Sequence, residues 1–303
     1  MYLVSYRVRG SDAPWRAGVE RNHSVVDISR YPAFREKVTG EVPHLSMRTL
    51  LAQGQQVLTD VLAWASQQLD AGQDVLSLES LELGPPVSDP DKFLCLGVNY
   101  REHAAETNLE VPSVPTIFAK FRNCLIGPTA PILLPHVSTQ IDYEGELAVI
   151  IGTRCKDVSE NDALKYVAGY TVCNDVSARD IQMRTSQWTA GKVLDTFAPM
   201  GPGIVPASEI ADPQTLMLTT RLNGQVVQHD TTADMVFSVA TTIAFLSSLM
   251  TLEPGDIIAT GTPSGVGFRR NPPLFMRHGD VVEVEIERVG TIRNPVLNVR
   301  EGQ

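Results

Sequence analysis

The sequence predicts an α+β fold, strand-rich and dense in turns. Three observations carry this. Short apolar runs are cut by 22 glycines and 20 prolines, helical periodicity is confined to a few stretches, and the order of elements shows no regular βαβ alternation. Taken in order, Leu3–Val8 and Ser24–Ile28 read as short strands. Residues 47–69 place Leu50, Leu51, Leu58, Val61, Leu62 and Ala65 on one face of a helix. The stretch Gly84-Pro85-Pro86-Val87-Ser88-Asp89-Pro90-Asp91 can continue neither a helix nor a central strand. A boundary is therefore expected there, between a small N-terminal α+β domain over 1–88 and a larger domain over 89–303. Beyond it, strands are expected at Phe93–Leu96, Thr116–Ala119, Tyr143–Ile151, Ala168–Asn174, Gly203–Val205, Leu216–Leu222, Asp256–Thr260 and Val281–Glu287, with helices near 161–167 and 235–250.

Composition excludes several functions. The 25 Lys and Arg against 35 Asp and Glu give a net charge of −10 over 303 residues, and such an acidic surface repels nucleic-acid phosphates and anionic membranes. No apolar run is long enough to span a bilayer, and the opening residues lack the pattern of a secretory signal. Cys95, Cys124, Cys155 and Cys173 are far apart and form no C-x-x-C pair. Buried free thiols in a cytoplasmic protein are the expectation. Gly261-Thr262-Pro263-Ser264-Gly265-Val266-Gly267 lacks the Lys-Ser/Thr ending of a phosphate loop.

Chemistry enters with Asp142-Tyr143-Glu144-Gly145-Glu146. Residues two apart on a strand share a face, and carboxylates on one face that runs into an apolar core repel unless a cation compensates. Glu283, Glu285 and Glu287 alternate too, but on a strand that reads simply as apolar on one side and solvated on the other. Asp175 follows the apolar segment 168–173 and is either a turn residue or a third acid for the first group. Glu144, Glu146 and Asp175, without a His or Cys pair nearby, suit a hard divalent cation, Mg²⁺ with Mn²⁺ or Ca²⁺ as alternatives, and disfavour zinc. His103 and Glu106 fall on one helical face at i, i+3, either a base oriented by a carboxylate or a surface charge pair. His23, His44, His136, His229 and His278 have no comparable partner.

Five ordered motifs resemble the fumarylacetoacetate hydrolase family over roughly residues 91–298: N-Y-x-x-H-x-x-E, D-Y-E-G-E-L-A-V-I-I-G, N-D-V-S-A-R-D-I-Q, G-K-V-L-D-T-F-A-P-M-G-P and T-G-T-P-S-G-V-G. The resemblance implies a mixed β-roll or β-barrel-like catalytic core, a homodimer and a divalent metal. It places the metal ligands on Glu144, Glu146 and Asp175, a His-Glu dyad on His103 and Glu106, a site lysine on Lys192, and substrate contacts on Gln182 and Thr262. Val193, where many relatives have Ser, and Asn123-Cys124 depart from the family pattern. The implied activity is metal-dependent hydrolysis of a C–C bond in a 1,3-dicarbonyl keto acid of the acylpyruvate type. In that reading His103 activates water, and the metal and Lys192 stabilise the expelled enolate. Decarboxylation or tautomerisation of an oxaloacetate-type keto acid, or isomerisation of a dienedioate, fits the same residues. A metal-stabilised binding protein without turnover is the reading outside enzymology.

Overall fold

The structure, a computed structural model, describes residues 1–35 and 45–299, so His44 lies outside the described residues. Short, largely buried runs in the first segment build β1 (Tyr2–Val8), β2 (Arg16–Arg21) and β3 (Ser24–Asp27), joined by β4 (Val75–Ser77) and β5 (Leu81–Leu83), all antiparallel to the neighbours they pair with in this segment. The helix expected over 47–69 is two, Met47–Leu51 and Gln55–Ala71. The chain breaks at Gly54, whose φ of 91° suits glycine and interrupts the helical run. Leu50, Leu58, Val61 and Ala65 nevertheless bury one continuous face against Leu3, Val19 and Val26.

The strands that follow are β6 (Phe93–Gly97), β7 (Thr116–Ala119), β8 (Leu125–Ile126), β9 (Ile132–Leu134), β10 (Ile141–Asp142), β11 (Gly145–Ile151), β12 (Val167–Asn174), β13 (Ser177–Ala178), β14 (Ala198–Pro206), β15 (Met217–Leu222), β16 (Gln225–Thr231), β17 (Ile257–Ala259), β18 (Val281–Ile286) and β19 (Gly290–Asn298). Their large sheet runs β4-β3-β2-β1-β14-β12-β11-β17-β6-β7. A second sheet, β16-β15-β18-β19-β9, packs on it through Leu218, Val284, Ile286 and Ile292 against Leu147, Val149 and Val172. The architecture is thus mixed α/β with open sheets, which corrects the barrel-like core expected above. The large sheet ends at β4 and β7, which pair only with β3 and β6 among the described residues, so it stays open. Closure depends on which edges pair, and strand patterning does not encode that.

Two strands at the centre of the large sheet position the chemistry. β11 and β12 are buried along their whole length and pair with Gly145 opposite Asn174 and Glu146 opposite Cys173. Buried on both faces, they read as nearly continuous apolar runs. The acids therefore sit at their ends, where the backbone leaves the sheet.

Candidate active site

The expected single strand through Asp142, Glu144 and Glu146 is interrupted. β10 pairs with β13, β11 pairs with β12, and Tyr143–Glu144 link the two. The break separates the acids by role. Asp142 is saturated by the amides of Tyr143, Gly267 and Phe268 and by Arg179 Nε at 2.9 Å, so it braces the fold. Glu144, Glu146 and Asp175 converge instead, with one carboxylate oxygen from each within 4.8 Å of the others. All three are at least 95 % buried.

Four buried carboxylates, counting Asp142, meet three buried cations. Lys192 Nζ lies 2.5 Å from Glu144 Oε2 and 2.9 Å from Asp175 Oδ2. Lys120 Nζ donates to Asp175 Oδ1 at 2.6 Å and to the carbonyls of Val176 and Lys192. Arg179 Nη2 lies 2.7 Å from Glu144 Oε1, off the hydrogen-bonding direction, and its Nη1 donates to Gln182 Oε1. Burial alone would raise Glu144, but Arg179 and Lys192 override it and hold the carboxyl at about 2. Lys192 is held charged against its burial by Asp175 and Glu144.

Glu146 is the exception. Burial, then the charges of Asp175 and Glu144, push its carboxyl well above the usual range. Its Oε2 accepts from the Gly261 amide, and its Oε1 has no hydrogen-bond partner among the described residues. A buried carboxylate lacking a cation, beside two more carboxylates, is the donor set of a hard divalent ion, so the residues present fit such a group.

A cavity of about 150 Å³ opens over these acids. His103, Glu144, Glu146, Gln182, Lys192 and Thr262 all line it, and Leu96, Leu109, Phe118, Met183 and Trp188 form an apolar wall. Gly97 makes room for that wall, since a Cβ there would lie 2.1 Å from the Trp188 ring. The chain turns from β6 toward the helix Arg101–Thr107 through Val98 at φ 57°, a left-handed conformation costly for a β-branched residue. Asn99 pins the turn, exchanging hydrogen bonds with the Phe237 backbone and donating to the Thr260 carbonyl. His103 Nδ1 lies 3.4 Å from Glu106 Oε2, and the Gly265 amide donates to the Glu106 carboxylate at 3.0 and 3.1 Å. With Nδ1 turned to Glu106, Nε2 is the ring nitrogen without a protein partner among the described residues.

Hydrogen-bond polarity is set for the two remaining side chains. Arg179 fixes Gln182 Oε1, so the amide Nε2 is left to donate. The Thr262 hydroxyl donates to the Gly145 carbonyl and accepts from Gln228 Nε2, so it can offer only a lone pair. Arg179, Lys120 and Gln228 were not singled out from sequence. Lys120 did leave a signal, standing between Ala119 and Phe121 at the end of an apolar strand.

Fold and site together define a metal-compatible enzyme fold of one family. The model of the fumarylacetoacetate hydrolase C-terminal domain matches residues 92–297, and the chain belongs to that family. Among its relatives is the mitochondrial oxaloacetate tautomerase of Xenopus laevis, 41 % identical over 98 % of this chain and 90 % of that protein. Two solved structures share the fold. The fumarylacetoacetate hydrolase of Exiguobacterium antarcticum is 34 % identical with a TM-score of 0.82, over 99 % of this chain and 100 % of that one. The maleylpyruvate hydrolase of a Sphingobium species, solved with a manganese(II) ion and pyruvate, is 30 % identical with a TM-score of 0.79 over the same shares. The Xenopus relative's location overturns the cytoplasmic expectation. Cys95, Cys124, Cys155 and Cys173 are buried and free, but free thiols fit any compartment that does not oxidise them.

Proposed function

We propose that this protein interconverts the keto and enol forms of a 2-keto acid of the oxaloacetate type, with a divalent cation held by Glu144, Glu146 and Asp175. The observation that carries the reading is the unmatched carboxylate: three buried acids lie within reach of one ion, and Glu146 has no protein cation. A relative 41 % identical over nearly the whole chain is named an oxaloacetate tautomerase, which favours this reaction over the others the site could run.

A divalent cation held by Glu144, Glu146 and Asp175 would supply Lewis acidity that acidifies the C–H beside the substrate carbonyl. The chain's own groups do the rest. Gln182 Nε2 donates to a substrate oxygen and orients the keto acid across the floor. His103 Nε2, with Nδ1 aligned by Glu106, takes the proton from the carbon beside the carbonyl. The C–H electron pair becomes the new C=C bond, and the negative charge gathers on the former keto oxygen. The Lys192 ammonium stabilises that charge from the floor. Return of the proton to this oxygen gives the enol, whose O–H has a matching acceptor in the Thr262 lone pair. Phe118, Trp188 and Leu96 limit water around the exchanging proton.

C–C hydrolysis of an acylpyruvate is the second reading. It is favoured by the same His103–Glu106 pair, which could activate a water, and by the hydrolase neighbours of the fold. One experiment separates the two. Decay of the enol absorbance of oxaloacetate, followed with Mn²⁺ or Mg²⁺, should accelerate with the protein and return to the background rate with EDTA. Cleavage products from acylpyruvates without faster enol decay would defeat the tautomerase reading.

A further inference from the structure

The loop that closes the cavity ends in two arginines with different commitments. Arg270 is spent on structure: Nε donates to the Tyr143 hydroxyl and the Gly265 carbonyl at 3.1 Å each, and Nη2 donates to the Val227 carbonyl. Arg269 is spent only at Nε, which donates to the Glu106 carbonyl at 2.7 Å. It lines the cavity, forms no ion pair among the described residues, and its two Nη groups have no protein acceptor there. Its guanidinium lies 5.8 Å from the Phe268 ring centroid, while that of Arg179 lies 4.4 Å from the same ring. Phe268 therefore has an inner arginine, buried and committed to the acids of the floor, and an outer one facing the mouth uncommitted.

This asymmetry bears on what the cavity accepts. The floor engages the keto-acid end of a substrate, and the wall of Leu96, Leu109, Phe118, Met183 and Trp188 offers nothing to a second charge. A planar guanidinium with its Nη edge free is the group that receives a carboxylate in paired hydrogen bonds. We propose that Arg269 is a substrate-binding residue that receives the far carboxylate of a dicarboxylic 2-keto acid, and so selects diacids over monoacids. The inference rests on the keto-acid reading of the floor. It adds a coupling: Arg269 also holds the last turn of the helix carrying His103, so a bound diacid and the base share one anchor.

Binding of malate and lactate to the Mn²⁺-loaded protein, measured by calorimetry, tests it without turnover. Both acids present a 2-hydroxy acid end, and they differ in the far carboxylate. Wild type should prefer malate by about 30-fold, the scale of a charge-assisted pair. In Arg269→Met the preference should fall to within about threefold, whatever general loss follows from releasing the Glu106 carbonyl. Arg269→Lys, which keeps the charge but not the fork, should lie between. An unchanged preference in Arg269→Met, or none in wild type, overturns the proposal. A preference that collapses in a protein inactive on oxaloacetate upholds Arg269 and defeats the tautomerase reading. Tautomerase activity with an unchanged preference does the reverse.

Discussion

Glu144 and Glu146 alternate where the chain enters β11, and Glu283 and Glu285 alternate along β18. In a sequence the two patterns look alike. In the fold Glu146 is 1 % exposed, whereas the Glu283 and Glu285 side chains are 30 % and 47 % exposed and share Arg221 at 3.1 and 2.7 Å. The pattern along β18 is that of a strand half in water, with every second residue buried. β11 is buried on both faces, so the acids gathered where it enters the sheet must be matched by cations from other elements; Lys120, Lys192 and Arg179 pair with Asp142, Glu144 and Asp175 and leave Glu146 unmatched. An acid pair acquires chemistry where the surrounding fold removes water faster than it supplies counter-charge.

The sharpest way to break this comparison is to remove one cation from each region. Lys120→Met would strip Asp175 Oδ1 of its partner and leave the Val176 and Lys192 carbonyls without their donor in a dry site. The expected loss is about 3–5 kcal/mol in denaturant unfolding, because a buried pair broken on one side leaves an uncompensated charge. Arg221→Met removes the cation of the exposed pair and should cost less than about 1 kcal/mol. Equal losses would show that burial is not what separates the regions. The acids themselves come next. Glu146→Gln should weaken Mn²⁺ binding by about 100-fold in calorimetry, on the scale of about 1.4 kcal/mol per tenfold change. It should also raise the melting temperature of the metal-free protein near neutral pH, since a buried carboxyl whose ionisation the fold opposes no longer has to be accommodated. Glu285→Gln should change neither measurably. Weaker Mn²⁺ binding in Glu285→Gln would relocate the ion.

Much of this was legible. Glu144, Glu146 and Asp175 are brought within reach of one ion, and the i, i+3 spacing of His103 and Glu106 survives as a contact on a helix. The ordered motifs around them set the family. The countercharges were not legible, because an isolated Lys or Arg reads as surface by default. Only the pairing of β11 with β12, and the return of the chain through Lys120 and Arg179, shows that these are interior. Period-two spacing alone puts Asp142 on one face with Glu144 and Glu146. The break at Tyr143–Glu144 re-aims it, and a two-residue interruption of this kind leaves no mark in an alternating pattern. β16 and β19 also escaped notice. Their sequences, QVVQHDT and GTIRNPVLN, carry polar residues and a proline that weaken strand patterning, and their place is set by pairing with β15 and β18.

Asp230 and Asp234 form a third case between the two extremes, a half-covered acid beside an exposed one, with no ion pair among the described residues. Burial, then the hydrogen bond and charge of Asp234, and beyond them Glu102, raise Asp230 to about 6, opposed by the Thr231 amide. A carboxyl raised on folding contributes stability that is full below its unfolded value near 4 and is lost as the pH climbs through about 6. Wild type should therefore lose melting temperature from this pair between about pH 4 and pH 7. Asp230→Asn should recover it at pH 7 and gain nothing at pH 4. Solvent screening keeps the effect at about 1 kcal/mol or less, a shift of a few degrees at most. Melting curves of both proteins across that range check it, and a gain of the same size at both ends would assign the effect to packing rather than charge. A pH-dependent gain would place the pair where its exposure does, with water compensating most of the charge and no cation needed.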